Sequence, residues 1–430
     1  MSLRTAPDQA VARHGWVQAL ATVLAALISM LVVAALGLWA AGAADLPGGA
    51  FPRVVAATLV VAVGGSVEFA GDAGALAGTR ATLTAVPLSV TLTGSLLVAL
   101  GFLRPLRHRA VADAPELAGW AGRIALVWLL VLTVLALSAR RTFAVPPGEG
   151  ALSDLGDLFG VPAPRVGFET EVAVTLAFGL LWLAGVLVLA LLVSPGAPLP
   201  PRLLRFQEPV RPVAYAMVVL LLAYVALGLV VALVVAATRG HGARTLAVVL
   251  LGLPNLVWPV FTIGLGATWE GRVEGPFGLP MPQVLDRVLR TPDVSVLDLG
   301  TLAEQDGRVW WLVVIGAVLL LAVAFLAAAR SPARMRPRQH ALHMAVALAL
   351  TVLTVCLLGR IDARYGLSLF GIGDLGGGLS GELFLRPALW SALGLALVWG
   401  LVTGFLGALL ASRTRHHGEQ ENPGGRGPGL

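Results

Sequence analysis

Two carboxylates follow a short apolar run of the chain: Glu68 and Asp72 come just after Gly64-Gly65, where that run ends. A carboxylate at membrane depth is costly and therefore often marks a functional site. Broken helices that aim their backbone ends at a buried site are also how many transporters hold ions or substrates. The alternative is that the run ends near the membrane surface and that both acids are hydrated. The sequence leaves both interpretations open.

A single amide interrupts a second apolar run, in which Asn255 lies between Pro254 and Pro259. The prolines break the hydrogen-bond ladder of a helix, so the amide could bind a polar solute beside the freed backbone groups. The alternative is a kink whose loose carbonyls are satisfied by the amide. Together with Glu68 and Asp72, Asn255 forms the predicted substrate-binding set.

A third pair of candidates lies in two similar Gly-Asp segments, LGDLFG (155 to 160) and IGDLGG (372 to 377). Asp157 and Asp374 could gate a pathway or coordinate a cation, because glycine lets the backbone approach closely. A Gly-Asp pair is more often a simple turn. The sequence is compatible with both interpretations of these two aspartates.

Catalytic and metal chemistry find little support in the residues. GLSG (378 to 381) resembles the nucleophile motif of intramembrane serine proteases, but no histidine base is placed beside Ser380. His340 and His343 are three residues apart without a nearby acid or thiol to complete a metal site. We therefore predict that the protein is not an enzyme, with no metal and no cofactor.

The composition of the chain indicates that the elements that position these residues lie in a lipid bilayer. Hydrophobic residues make up 57% of the chain, charged residues 13%, and the mean hydropathy is +0.86, whereas soluble domains carry about a quarter charged residues. The net charge of +6 comes from residues scattered between apolar runs and not from a basic face, which argues against a nucleic-acid partner. Ten apolar stretches can be delimited: Val17 to Ala41, Val54 to Val67, Leu83 to Leu103, Ile124 to Leu137, Val172 to Val193, Val213 to Ala237, Thr245 to Thr268, Val309 to Ala329, Ala341 to Leu358 and Ala388 to Ala411.

Charge sets the expected topology. The N-terminus, the 104 to 118, 194 to 211 and 330 to 339 loops and the tail hold fifteen Arg and six acids, whereas the 140 to 171, 267 to 308 and 360 to 386 loops hold ten Arg and fifteen acids. The first group is predicted to be cytoplasmic and the second external. All Arg-rich loops share one side only if the second and seventh stretches, the short one and the Pro-broken one, re-enter without crossing.

The two halves of the chain share this order of segments, so we predict an internal duplication. The fold is predicted to be an all-α polytopic membrane protein of two tandem five-segment repeats, with about eight spanning and two re-entrant or broken helices. The expected parts are a cytoplasmic N-terminus (1–16), the first membrane repeat (17–195), a cytoplasmic linker (196–211), the second membrane repeat (212–412) and a disordered cytoplasmic tail (413–430). Both termini are expected in the cytoplasm of a bacterial cell, with the protein in the plasma membrane.

Several long strings carry a family resemblance: GAADLPGGAFP, VGGSVEFAGDAGALAGT, RLLRFQEPVRP, TWEGRVEGPFGLPMP and GLSLFGIGDLGGGLSGE. Through them the chain up to about residue 412 resembles the streptophobe family, very hydrophobic integral membrane proteins of Streptomyces. The resemblance implies a membrane location and transfers no functional residue. VGGSV followed by VPLSVTL is also similar to actinobacterial polytopic proteins linked to cell division.

Two functional hypotheses follow, of which the sequence favours the first. The first is a permease-like protein in which the two broken segments meet between the repeats and line a small polar site for a small molecule or ion. The second is a non-transporting scaffold or partner protein in envelope assembly or cell division, whose external loops dock another protein. The lipid bilayer is an expected partner in both.

Overall fold

The computed structural model of the chain describes residues 6–45, 49–72, 77–108, 114–139, 141–144, 165–194, 204–240, 242–273, 294–332, 335–369 and 381–420. Within these ranges most residues are helical. The α-helices are α1 (Ala6–Ala40), α2 (Phe51–Ala62), α3 (Leu88–Leu103), α4 (Ala114–Ser138), α5 (Val172–Val193), α6 (Leu204–Arg239), α7 (Gly242–Gly264), α8 (Leu299–Gln305), α9 (Trp311–Arg330), α10 (Pro337–Leu358) and α11 (Leu389–Gln420).

Eight helices of the described chain are long and apolar enough to cross a membrane: α1, α4, α5, α6, α7, α9, α10 and α11. Their outward faces are apolar as well, with Val134 67% exposed and Leu181 66% exposed. Exposure of such side chains to water would be unfavourable, whereas their contact with lipid is favourable. The prediction of a polytopic helical membrane protein is confirmed at this level. By length, α7 belongs to the eight and the shorter α3 does not, which differs from the predicted membership.

Among the described residues, eight strands form one antiparallel sheet, which the predicted all-α fold did not contain. The strands are β1 (Val67–Asp72), β2 (Ala77–Thr84), β3 (Arg141–Ala144), β4 (Arg165–Thr170), β5 (Trp269–Val273), β6 (Ser295–Leu297), β7 (Ile361–Leu369) and β8 (Gly381–Pro387). Their order is β3-β4-β1-β2-β7-β8-β5-β6. The strands lie in the connections between apolar runs, so a search for membrane helices interprets them as loops.

The sheet lies at one end of the helix bundle. Helices α4 and α10 end directly before β3 and β7, while α5 and α11 begin directly after β4 and β8. Gly94 lies against Met30 and Gly101 against Thr22, so α1 runs antiparallel to α3 and toward the sheet. Contacts of α6 with α9 give α6 the same direction, because Arg330 stacks on Tyr215 and Gly316 lies near Tyr224.

Exposed tryptophans mark the level at which the helices meet the sheet. Trp39 lies at the end of α1, Trp311 at the start of α9 and Trp390 at the start of α11, with exposures of 60%, 66% and 88%. Tryptophan is enriched at membrane–water interfaces because its ring is apolar and its N–H is polar. These residues are consistent with a sheet that lies just outside the hydrocarbon region.

One face of the sheet packs onto the helices and the other carries charge. Trp269 is fully buried and its Nε1 donates to Thr262 Oγ1 at 2.8 Å, which joins β5 to α7. Along β5 the burial alternates, so that Glu270 is exposed between two buried neighbours. This period-two alternation is the mark of a half-solvated strand.

Helices α10 and α11 pack closely through two glycines of α11, Gly400 and Gly404. A Cβ atom built on Gly400 would lie 2.4 Å from Ala345 Cα, and one on Gly404 would lie 2.9 Å from Ala341 Cα. No side chain fits at such distances, so glycine lets the two backbones touch. The close approach of α10 and α11 therefore depends on glycine at both positions.

Candidate functional site at the start of helix α3

Helix α7 breaks at Gly252, whose φ of −144° and ψ of 23° are not helical. Pro254 follows two residues later and has no N–H to continue the ladder. The sequence predicted this break correctly. What could not be seen in the sequence is the group that satisfies the freed backbone.

That group is Ser89 of α3. Its Oγ donates to Val249 O at 2.8 Å and accepts from Leu253 N at 3.1 Å. In an unbroken helix the N–H of Leu253 would bond the carbonyl of Val249 directly. The hydroxyl is therefore inserted into the missing helical hydrogen bond and bridges its two ends.

Asn255 of α7 in turn caps the first residue of α3. Its Oδ1 accepts from Leu88 N at 3.0 Å, and its Nδ2 donates to Val86 O at 2.8 Å. The first N–H groups of a helix have no partner inside it, and Pro87 at the N-cap supplies no side-chain cap. Asn255 and Ser89 thus form a reciprocal clasp between residues more than 160 positions apart, called the α3–α7 clasp below.

The same turn of α3 also reaches α2. Thr91 Oγ1 donates to Ala62 O, the last carbonyl of α2, at 2.6 Å, and this bond is buried. The two short or broken segments singled out in the sequence thus meet at one turn of α3. Ser89 and Thr91 were missed as site residues, although two hydroxyls directly after a helix-starting proline are a recognisable local signal.

Glu68 and Asp72 lie apart from this turn, on β1. Glu68 pairs in register with Thr82 on β2 and with Glu169 on β4. Val86, which Asn255 bonds, is four residues beyond Thr82, or roughly 13 Å along an extended chain. Asp72 pairs with Gly78 and lies farther still. Asn255 and the two acids are therefore on different elements, and their shared role in binding stays a prediction.

The two aspartates predicted to gate a pathway or to coordinate a cation, Asp157 and Asp374, lie outside the described residues. Among those described, no group of three His, Cys, Asp or Glu side chains could hold a metal ion.

The exposed face of the second half of the sheet carries two ion pairs. Arg364 Nε donates to Glu382 Oε1 at 2.9 Å, and Arg386 Nε donates to Asp362 Oδ1 at 2.9 Å. The hydrogen bond that Arg386 donates to Asp362, together with the negative charge of that carboxylate, raises the pKa of Arg386 above its ordinary value. Arg386 therefore keeps its positive charge throughout the physiological pH range.

No protein-family model, curated protein or solved structure matches the chain, so its function must be inferred from its own residues and geometry.

Proposed function

We propose that the protein is a non-transporting membrane scaffold whose sheet docks another protein of the bacterial envelope. The observation that carries this proposal is the ordered, charged face of the sheet, with the pairs Arg364–Glu382 and Arg386–Asp362 beside Glu270. Exposed ion pairs of this kind add little stability. A fixed pattern of alternating charge instead favours complementary recognition of a polar protein surface.

The sheet is continuous across the two halves of the chain. Strands β2 and β7 pair from Ala77↔Leu369 to Thr84↔Asp362 and join four strands of each half. The outer strands β3 and β6 have only four and three residues. Short edges discourage strand addition, so the face and not the edge is the expected docking surface.

The orientation follows from charge. The connections at the end of the bundle opposite the sheet are the Arg-rich ones, which favours a cytoplasmic position for these connections and an external position for the sheet. Both termini are then cytoplasmic and the docking face points into the envelope of a bacterial cell.

Charge reversal on the sheet tests the scaffold proposal. We expect Arg364→Glu combined with Arg386→Glu to release a stoichiometric partner that copurifies with the full chain in mild detergent, because both fixed pairs become repulsive. The matched control is Arg338→Glu, an exposed arginine in the first turn of α10, at the opposite end of the bundle. The measurement is the partner-to-protein ratio after purification from the native membrane. A partner retained by the double reversal, or no stoichiometric partner at all, would contradict the proposal.

A permease-like protein is the second candidate, because α2 and α7 both reach the turn of α3 at Ser89 and Thr91. In this proposal Glu68, Asp72 and Asn255 bind a small polar solute, and Asp157 with Asp374 gates it. Thermal stabilisation of the purified chain by inorganic cations and amino acids distinguishes the candidates. Stabilisation that is lost in Glu68→Gln but kept in Glu270→Gln would favour the permease-like protein over the scaffold.

A tandem duplication is inferred for both candidates, and the turns after α2 and α7 support it. Gly64 N bonds Val61 O and Gly266 N bonds Ile263 O, with φ of +91° and +95° at the two glycines. Each turn also closes a six-residue ring of the Schellman type, from Gly65 N to Val60 O and from Ala267 N to Thr262 O, both 3.0 Å. In each half the turn leads directly into a strand.

Strand registers support the duplication as well. The first half orders its strands β3-β4-β1-β2, and the second half orders the corresponding strands β7-β8-β5-β6. The first residue of β1, Val67, pairs with the last residue of β4, Thr170; the first residue of β5, Trp269, likewise pairs with the last residue of β8, Pro387. Two halves that agree in element order, turn and register are the expected result of a repeated sequence.

Re-entry of α2 and α7 is part of the same proposal. Each of these two helices follows a helix that runs toward the sheet, and each is followed by a strand of that sheet. Leu251 of α7 lies against Gly37 near the end of α1, and Gly264 lies against Leu312 at the start of α9. Both halves of α7 therefore contact the sheet-side ends of other helices.

Cysteine labelling tests re-entry. After Cys356→Ser, we expect single cysteines at Thr84 and Val294 to react with an impermeant maleimide from outside, because both follow a re-entrant segment. A cysteine at Arg338 is the control and should react only after the membrane is permeabilised. If Thr84 or Val294 reacts only after permeabilisation, the segment before it crosses the membrane and the proposed topology is wrong for that half.

A further inference from the structure

We propose that the cleft between α4 and α5 binds one acyl chain of an anionic phospholipid, whose headgroup lies at the Arg-rich turn after α3. The site is distinct from the sheet and from the α3–α7 clasp. It lies at the end of the bundle away from the sheet, in the leaflet that the charge pattern assigns to the cytoplasmic side.

The cleft has a volume of about 380 Å³ and an apolar lining. Its walls come from three helices: Phe102 of α3; Leu117, Ala118, Ala121, Gly122 and Ala125 of α4; and Leu180, Leu183, Ala184, Leu187, Val188 and Leu191 of α5. From Leu180 to Leu191 the helix rises roughly 16 Å. One leaflet of the hydrocarbon core is about 15 Å thick, so the cleft matches the depth of a single acyl chain.

The cleft arises from a difference between the two halves. Helix α11 touches α10 through Gly400 and Gly404. Counted from the first residue of each helix, α5 carries Leu183 and Leu187 at those positions. Leucine at both places leaves α5 without the glycine contact that joins α11 to α10, and these two side chains line the cleft. The second half closes the groove that the first half leaves open.

A lipid is the occupant that fits this position. The cleft has no polar lining residue to bind a peptide backbone, and it opens among helix faces that lie in the bilayer.

Charge at the mouth of the cleft selects the lipid headgroup. Arg104 is exposed at the end of α3, two residues after Phe102. In sequence, the 104 to 118 connection contains three arginines (Arg104, Arg107 and Arg109) and two acids (Asp113 and Glu116). Basic residues at the mouth of a cleft between helices favour an anionic headgroup.

Native mass spectrometry of the full chain in mild detergent tests the proposal. Dioleoyl phosphatidylglycerol and dioleoyl phosphatidylcholine are added in equal amounts, and the retained lipid is counted. We expect one phosphatidylglycerol per chain in the unaltered protein. Gly122→Trp should lower its retention at least about tenfold by filling the cleft, and Arg104→Gln should lower its preference over phosphatidylcholine about fivefold.

The matched control is Gly185→Trp. Gly122 and Gly185 are both exposed helix glycines with no atom within 4 Å of a built Cβ, but only Gly122 lines the cleft. Ala184→Phe fills the cleft from the other wall and replaces Gly122→Trp if that variant does not fold. Equal retention of the two lipids, equal effects of the cleft and control variants, or a second copy of the chain in place of lipid would each overturn the proposal.

Discussion

Gly400→Leu is expected to separate α10 from α11 and to destabilise the protein more than any other single change considered. A Cβ at this position would lie 2.4 Å from Ala345 Cα and 2.8 Å from its N, both backbone atoms that cannot rotate away. The helices must move apart by the width of a side chain, and the core around Met344 and Leu348 opens with them. Overpacking of this kind costs about 3 kcal/mol or more in the free energy of unfolding.

The measurement is an unfolding titration with sodium dodecyl sulfate, followed by tryptophan fluorescence. Gly394→Leu is the control, because Gly394 lies on the same helix and a built Cβ there meets no atom within 4 Å. The control should change the unfolding free energy by less than about 1 kcal/mol. Equal losses for Gly400→Leu and Gly394→Leu would show that glycine at position 400 is not required by a close helix contact.

Asn255→Leu is expected to be the second most damaging substitution. The two side chains have the same number of heavy atoms and both branch at Cγ, so the shape is largely kept, but Leu88 N and Val86 O each lose their bond to the amide. Leaving two backbone groups unpaired in a partly buried place costs about 2 to 4 kcal/mol. The same detergent titration measures the loss, and Leu256→Ala at the next residue is a control for the general sensitivity of α7.

Ser89→Ala shows whether the clasp is a unit. Ser89 bridges Val249 O and Leu253 N, so its loss should by itself cost about 1 to 2 kcal/mol. Combined with Asn255→Leu the losses should be less than additive, because the first change already loosens the contact of α3 with α7. Fully additive losses would contradict a cooperative clasp. A stable Asn255→Leu protein that no longer binds a solute would instead support the permease-like proposal.

The helices could be predicted from sequence because lipid allows the backbone few alternatives. The hydrocarbon core contains no water to bond the backbone, so every N–H must bond a carbonyl of the chain itself. An apolar run of sufficient length therefore forms a helix. The break in α7 was predictable for the same reason, since Pro254 removes a donor. Membership in the streptophobe family, in contrast, stays a prediction.

The sheet was missed although part of its signal is present. In β7 the apolar residues Ile361, Ala363, Tyr365, Leu367 and Leu369 alternate with polar or small ones, as expected for a strand with one face covered. Glu68 was placed at the tip of a membrane segment because the apolar run ends there, whereas the turn at Gly64 leads the chain into β1. Local patterns could also not reveal that Asn255 caps α3, because the two are far apart in sequence.

The pairing of β2 with β7 has a consequence for how the chain is made. Thr84 Oγ1 bonds Asp362 O across 278 residues, so β2 leaves the ribosome long before its neighbour exists. Until then the first half carries an open strand edge and an uncapped start of α3, both of which the second half later covers. A chain whose synthesis stops before β7 therefore leaves this edge of β2 unpaired, and an unpaired strand edge is a template for pairing with another chain.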